Sequence, residues 1–138
     1  MDIRYPATFE EQEPSGYLVS FPDLEDTFTE GATKEEAQFN ASEVLSAMLS
    51  WRLDNDMPLP EPTQNIKKAV YISPDARTQA ALLVRRARGD RSLAEVARVL
   101  ETSWPAAKRL EDPHHWPSLK QLEKAAAALG RRLILTFD

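Results

Sequence analysis

The stretch "SLAEVARVLETSWPAAKRLED", Ser92 to Asp112, decides the fold of the second half of the chain. Ser92 and Glu95 have the spacing of a capping box, in which a hydroxyl and a carboxylate cap the first turn of a helix. A short break at Glu101 and Thr102 separates this helix from a second helical segment, "SWPAAKRLE". The stretch therefore predicts two helices of about two turns each, joined by a tight turn.

This spacing is that of a helix-turn-helix, the motif whose second helix enters the major groove of DNA. Ala97 stands where the close approach of the second helix requires a small side chain. The alternative is a plain helical bundle whose arginines form a solvated face, because sequence matches to this motif include false positives. The expected shared core consists of Val96, Leu100, Ala107 and Leu110.

The outward-facing residues at the start of the second helix are the candidates for DNA contact. Lys108 and Arg109 can reach base edges or phosphates, and Trp104 suits apolar contact with a thymine methyl group. The predicted DNA-binding residues are Ser92, Ser103, Trp104, Pro105, Lys108 and Arg109.

Two more helices are expected around this pair. Ser73 is suited to cap a helix with Pro74 in its first position and Gly89 just beyond its end. The segment "SLKQLEKAAAALG" predicts a closing helix, and its Ser118 and Gln121 again have the spacing of a capping box.

The last residues, "RRLILTF", alternate polar and apolar side chains as a terminal strand does. A strand at the chain end has open hydrogen-bonding edges. Because one short helix recognises an operator weakly, we expect a homodimer or higher homo-oligomer formed by pairing of this strand with its copy. The alternative is a strand that packs on its own domain. The candidate dimerisation residues are Leu133, Leu135 and Phe137.

The first half has strand patterns before a long helical segment. Alternation in "DIRYPATFE" and "YLVSF" predicts a hairpin, and a short third strand is expected around Asp26 to Thr29. Thr33 and Glu36 have the capping-box spacing for a helix that runs to about Asn55. After the proline-rich "MPLPEPT", the segment "KKAVYIS" reads as a fourth strand.

Charge divides the chain in the same way. Residues 1–74 hold 5 basic and 14 acidic side chains, a balance of −9, and residues 75–138 hold 12 basic and 8 acidic ones, a balance of +4. An acidic module repels phosphate backbones and a basic one attracts them, so the halves should have different partners. We predict an α+β protein, with a βββαβ domain over residues 1–73 and an all-α helix-turn-helix domain with a C-terminal strand over residues 74–138.

Several classes of site are excluded or unsupported. The chain has no cysteine, so disulfides, thiolate metal sites and cysteine nucleophiles are excluded. His114 and His115 are adjacent in sequence and have no further ligand pair, so we expect a loop role and no bound metal. We expect no catalytic residue and no cofactor. Without a signal-peptide pattern or a long apolar run, a soluble cytoplasmic protein is the expectation.

Acidic residues cluster after the second strand, at Asp23, Glu25, Asp26 and Glu30. Such a cluster could hold two divalent metals for phosphodiester cleavage, which is the hypothesis of a metal-dependent nuclease. The plainer interpretation is a solvated acidic loop. No histidine and no glycine-rich phosphate loop accompanies the cluster in this half. A catalytic role is therefore unsupported.

The segment "YPATFEEQEPSGYLVSFPDLEDTFTEGATKEEAQFNASEVLSAML", followed by "MPLPEP", resembles the N-terminal domain of HicB-type antitoxins over about residues 3–62. The resemblance implies a partial RNase H-like sheet without a working nuclease site. It also implies binding of a small HicA-type toxin, an mRNA-cleaving ribonuclease, whose active site the antitoxin covers. Asp23, Glu25 and Asp26 are the candidate toxin contacts, chosen for their charge and expected exposure.

Residues 75–129 resemble the Xre-type class of helix-turn-helix repressors, and one branch of the HicB-type antitoxins carries such a second half. The sequence departs from this class at Glu101, where glycine is usual, and in the bulky Trp104 and constrained Pro105 that open the second helix. Glu101 therefore needs either a left-handed backbone without the freedom of glycine, or a slightly different turn.

Two functions follow from these observations. The first is an antitoxin that neutralises a HicA-type toxin and represses its own operon by binding operator DNA. The alternative is a helix-turn-helix transcriptional regulator whose N-terminal domain senses a small ligand. A short basic reading frame beside the gene would favour the antitoxin.

Overall fold

The computed structural model describes all residues from 1 to 138. The chain forms two compact units, one of residues 2–76 and one of residues 77–138 together with Met1. The first unit contains a four-stranded sheet and a long helix, and the second is helical. The fold is therefore mixed α+β, as expected. None of the five helices combines the length and the apolar character that crossing a bilayer requires.

The sheet of the first unit is antiparallel, with the strand order β3-β2-β1-β4. The predicted order of elements, βββαβ, is confirmed. The third strand begins two residues later than expected, because Asp26 has a left-handed backbone (φ 59°) and still belongs to the preceding turn. The elements are β1 (Tyr5–Glu11), β2 (Tyr17–Ser20), β3 (Phe28–Gly31), α1 (Lys34–Asp54) and β4 (Val70–Ile72).

One side of the sheet is covered by α1. Tyr5, Ala7 and Val19 project from this side and are fully buried. Gly31 belongs to the same side, and a Cβ atom there would lie 2.4 Å from the backbone nitrogen of Ala37. Only glycine therefore allows the first turn of the helix to approach β3 this closely.

Both ends of α1 are capped, and Thr33 is the N-cap residue that the sequence indicates. The Thr33 hydroxyl accepts a hydrogen bond from the backbone N–H of Glu36 at 3.1 Å. The helix ends at Asp54, and Asp56 turns the chain with a positive φ of 51°. The backbone N–H of Met57 then donates to the Arg52 carbonyl at 2.9 Å, which satisfies one of the last carbonyls of the helix.

The proline-rich connection before β4 is held by two tyrosine hydroxyls. Tyr5 donates to the Pro60 carbonyl at 2.6 Å, and Tyr71 donates to the Thr63 carbonyl at 2.6 Å. The connection is irregular, as three closely spaced prolines require, but these bonds give it a defined path along the sheet.

The second unit contains α2 (Ala76–Arg88), α3 (Leu93–Val99), α4 (Trp104–Arg109) and α5 (Leu119–Ala128). Its core confirms the predicted residues of the helix pair, with Leu100 partly buried at the edge. The buried members are Val84, Val96, Ala97, Ala107, Leu110, Ala125 and Leu129.

The start of α2 differs from the prediction, which placed Ser73 at the cap and Pro74 in the first position. The helix begins at Ala76 because α1 holds the backbone before it in a non-helical path. The Ser42 hydroxyl donates to the Ser73 carbonyl at 2.8 Å, and the Asp75 N–H donates to the Ser46 hydroxyl oxygen at 2.8 Å.

The predicted C-terminal strand is wrong for the single chain. Residues 131–138 have no ladder partner and are not in a strand. Alternation alone cannot form a strand, because the backbone of a strand must pair with a neighbour. The chain instead leaves α5 through a left-handed Gly130, and the Arg131 N–H donates to the Ala126 carbonyl at 2.7 Å.

Candidate functional site

The turn between α3 and α4 is built around Glu101. This residue has φ 55°, so of the two alternatives, a left-handed backbone or a different turn, the chain adopts the left-handed backbone. The Glu101 N–H donates to the Arg98 carbonyl at 3.1 Å and the Thr102 N–H donates to the Ala97 carbonyl at 2.9 Å. This is a Schellman motif, which ends α3 sharply without glycine and sets the direction in which α4 begins.

Ser103 starts α4 as the sequence indicates. Its backbone is extended and its hydroxyl oxygen accepts from the Ala106 N–H at 3.2 Å. Pro105 lies in the first turn, where its missing N–H leaves no hydrogen bond unmade within the helix. A six-residue helix is thereby fixed at its N-terminal end, which is the end that would meet base edges in a helix-turn-helix.

All six residues predicted to contact DNA are solvent-exposed. Trp104 has 47% of its surface exposed. The Lys108 ammonium lies over its ring, with Nζ 5.2 Å from the ring centroid, a cation–π contact one helical turn apart. The indole and the ammonium therefore form one amphipathic unit on the outer surface of α4, and Arg109 is exposed beside it.

The end of α4 carries a contact that no pattern in the sequence indicates. Glu111 is buried, and its carboxylate accepts from Arg88 Nε at 2.7 Å and from Arg88 Nη2 at 3.1 Å. Arg85 Nε lies 3.8 Å from the same carboxylate. These bonds join the last turn of α2 to Glu111, just beyond the end of α4. The run of arginines in α2 was visible in the sequence, but their partner 23 positions away was not.

The two histidines lie in the loop between α4 and α5, as predicted. The backbone N–H of His114 donates to Asp112 Oδ1 at 2.8 Å, and the N–H of His115 donates to the Asp112 carbonyl at 3.1 Å. Trp116 follows, with the Arg77 guanidinium 5.1 Å from the centroid of its ring. A turn nucleated by Asp112 therefore organises this loop.

The three predicted toxin contacts fall into two kinds of environment. Asp23 is half-buried, and both of its carboxylate oxygens accept from Thr63: from the N–H at 2.8 Å and from the hydroxyl at 2.6 Å. Asp23 is therefore less exposed than expected, and its carboxylate holds the proline-rich connection in place. Glu25 and Asp26 are exposed in the loop before β3.

The predicted dimerisation residues lie on the C-terminal tail. Leu135 and Phe137 are exposed and Leu133 is half-buried. A shallow groove of about 430 Å³ lies between this tail and α5, lined by Leu119, Lys120, Glu123, Leu133 and Leu135.

Comparison with known proteins places these features in a family. The family described as "HicB_like antitoxin of bacterial toxin-antitoxin system" matches residues 4–78, which is more than half of the chain. The chain is 29% identical to "Antitoxin HicB 1" of Photorhabdus laumondii over 99% of its own length and 88% of that protein. It is also 29% identical to "Antitoxin HicB" of Escherichia coli K12, over 98% of its own length and 99% of that protein. The chain belongs to the family of HicB-like antitoxins of bacterial toxin–antitoxin systems.

Proposed function

We propose that this protein neutralises a small HicA-type mRNA-cleaving ribonuclease with residues 2–76 and represses its own operon by binding operator DNA with residues 77–138. The observation that carries the proposal is the capped α3–turn–α4 unit with its outer residues exposed, in a chain whose first unit matches the antitoxin family. One module would bind protein and the other DNA.

Membership of the family supports the antitoxin role and implies a toxin partner. Antitoxins of this family are regulatory proteins and not enzymes, and that holds for this chain. The sheet with a single long helix is compatible with the partial RNase H-like fold that the resemblance implies. The helix order and the Schellman turn support assignment of the second unit to the Xre-type class.

The distribution of charge supports different partners for the two units. Residues 2–76 hold 5 basic and 15 acidic side chains, a balance of −10, and residues 77–138 hold 12 basic and 7 acidic ones, a balance of +5. A ribonuclease presents cations where it holds RNA phosphates, so an acidic partner is attracted to that surface and can occupy it. The basic unit is attracted to duplex DNA for the same physical reason.

In the second unit, Trp104, Lys108 and Arg109 would face the major groove. Ser92 and Ser103 cap α3 and α4 through their oxygens, and each hydroxyl keeps a hydrogen with which it can donate to a phosphate. Pro105 shapes the first turn and adds apolar surface. Operator binding by two such units requires a dimer, for which Leu133, Leu135 and Phe137 are the proposed interface.

Co-expression with a HicA-type toxin, sought as a short basic reading frame beside the gene, tests the proposal. The full chain should restore growth that this toxin arrests, and the two should co-purify. Absence of both rescue and complex formation would contradict the antitoxin function and leave the alternative, a regulator with a ligand-sensing first domain.

A further inference from the structure

The side of the sheet that α1 does not cover carries an unusual set of side chains. Cross-strand pairing places Thr8, Ser20 and Phe28 in one row. The next row consists of Glu10, Leu18 and Glu30. Directly paired residues in an antiparallel sheet have Cβ atoms about 5 Å apart, so the six side chains form one continuous surface. We call these six residues the open face.

Phe28 is an exposed aromatic residue in the otherwise largely polar open face. It lies on β3, the edge strand of the sheet, and 61% of its surface is exposed. An outward-facing strand position normally carries a polar residue, and an edge strand normally avoids exposed aromatic groups because they promote association. Leu18, in the adjacent row, is half-buried and extends the apolar area towards the middle of the sheet.

The two charged residues of the open face have the same sign. Glu10 and Glu30 are both exposed, and they lie on either side of Leu18 across the three strands. No lysine or arginine occurs among the six residues of the open face. An aromatic anchor beside an acidic rim is complementary to a protein surface with an apolar pocket among cations, and it repels nucleic acid.

We propose that the open face is the docking surface for the toxin, with Phe28 inserted into an apolar pocket and Glu10 and Glu30 paired with toxin cations that otherwise hold RNA phosphates. This inference rests on the proposed function, because it takes the toxin to be a basic RNA-binding protein. Asp26 lies two residues before Phe28 and is exposed in the loop that leads into β3. Asp23 has no part in it, since Thr63 occupies both of its carboxylate oxygens.

The same unit offers a matched control surface on α1. Phe39 is 66% exposed, close to the value for Phe28, but it belongs to the helix on the other side of the sheet. Glu36 and Glu43 are exposed on that helix and match the two glutamates of the open face in charge. The same substitutions can therefore be made on both surfaces, so that two variants differ only in which surface is altered.

The experiment measures binding of a purified HicA-type toxin, taken from any short basic reading frame found beside the gene, to the purified full chain by isothermal titration calorimetry. Phe28→Ala should weaken binding on the order of 30-fold, the effect of removing an interface anchor, and Phe39→Ala should change it less than twofold. The double variant Glu10→Gln and Glu30→Gln should slow association in stopped-flow mixing and flatten its salt dependence. The control double variant Glu36→Gln and Glu43→Gln should change the association rate and its salt dependence much less.

The outcomes separate the docking surface from the antitoxin function itself. If Phe28→Ala and the unaltered chain are both folded by circular dichroism and bind the toxin equally well, the open face is not the docking surface. Loss of toxin binding in Phe39→Ala alone would also overturn the proposal. Light scattering measures the oligomeric state of the Phe28→Ala variant. If the oligomeric state changes while toxin affinity does not, the open face binds a second copy of the chain, and the proposal is overturned. Failure of the unaltered chain to bind the toxin contradicts the proposed function instead.

Discussion

Arg88 and Glu111 form a two-bond ion pair that joins α2 to the end of α4, with Nε 2.7 Å from Oε2 and Nη2 3.1 Å from Oε1. The side chain of Glu111 is 7% exposed and that of Arg88 is 18% exposed. Two parallel bonds between planar groups fix direction as well as distance. The pair therefore sets where α4 ends relative to α2, and its loss should lower the stability of the second unit.

Glu111→Ala is expected to destabilise the second unit by about 3 kcal/mol, because it leaves a largely buried guanidinium without its carboxylate. Urea unfolding followed by circular dichroism measures the loss. Glu123→Ala removes an exposed carboxylate from α5 and should change stability by less than about 0.5 kcal/mol. Equal stability of the two variants would show that the ion pair contributes nothing.

Glu101→Gly is expected to stabilise the protein by about 0.5 to 1 kcal/mol. The backbone at this position is left-handed, which costs a residue with a Cβ atom more than it costs glycine. The midpoint of urea unfolding should rise with the slope unchanged. A lower midpoint would mean that the Glu101 side chain makes a contribution larger than the backbone strain.

Gly31→Ala is expected to destabilise the first unit by about 2 kcal/mol or more, because the new methyl group overlaps the backbone nitrogen of Ala37 at the start of α1. Gly130→Ala is the matched control, since its φ is 75° but no atom lies within 4 Å of the added carbon. That control carries only the backbone cost, about 1 kcal/mol. Thermal unfolding of both variants distinguishes overlap from strain, and a loss no greater in Gly31→Ala than in Gly130→Ala would reject the overlap.

Truncation before Arg131 tests the proposed dimer interface. The truncated chain lacks Leu133, Leu135 and Phe137, and it should run as a monomer in light scattering at concentrations where the full chain is dimeric. Residues 131–138 form no strand in the single chain. The same segment of a second chain would supply the hydrogen-bonded neighbour that a strand requires. A truncated chain that remains dimeric would place the interface elsewhere.

The local features of the fold could be predicted from sequence because each depends on residues a few positions apart. The caps at Thr33, Ser92, Ser103 and Ser118 form where short-range patterns place them, and Ser118 with Gln121 completes both bonds of its capping box. The left-handed backbone at Glu101 was one of two alternatives for this turn, and the φ of 55° decides between them.

The contacts that sequence reasoning could not anticipate join residues distant in sequence. The carboxylate of Asp23 is occupied by Thr63, 40 positions away, and Arg88 bonds Glu111, 23 positions away. No local pattern encodes either pairing. The terminal segment "RRLILTF" has the alternation of a strand but no partner within the chain, so its local signal could not produce the structure alone.

The central claim is that one chain carries separate surfaces for toxin and operator, and the variant Arg109→Ala tests it most directly. Operator affinity should be measured by fluorescence anisotropy at matched salt, on the same preparation used for toxin titration. We expect operator binding to weaken on the order of tenfold and toxin binding to stay unchanged, because Arg109 is exposed on α4 and lies outside the first unit. Equal operator affinity of Arg109→Ala and the unaltered chain, or a parallel loss of toxin binding, would contradict it.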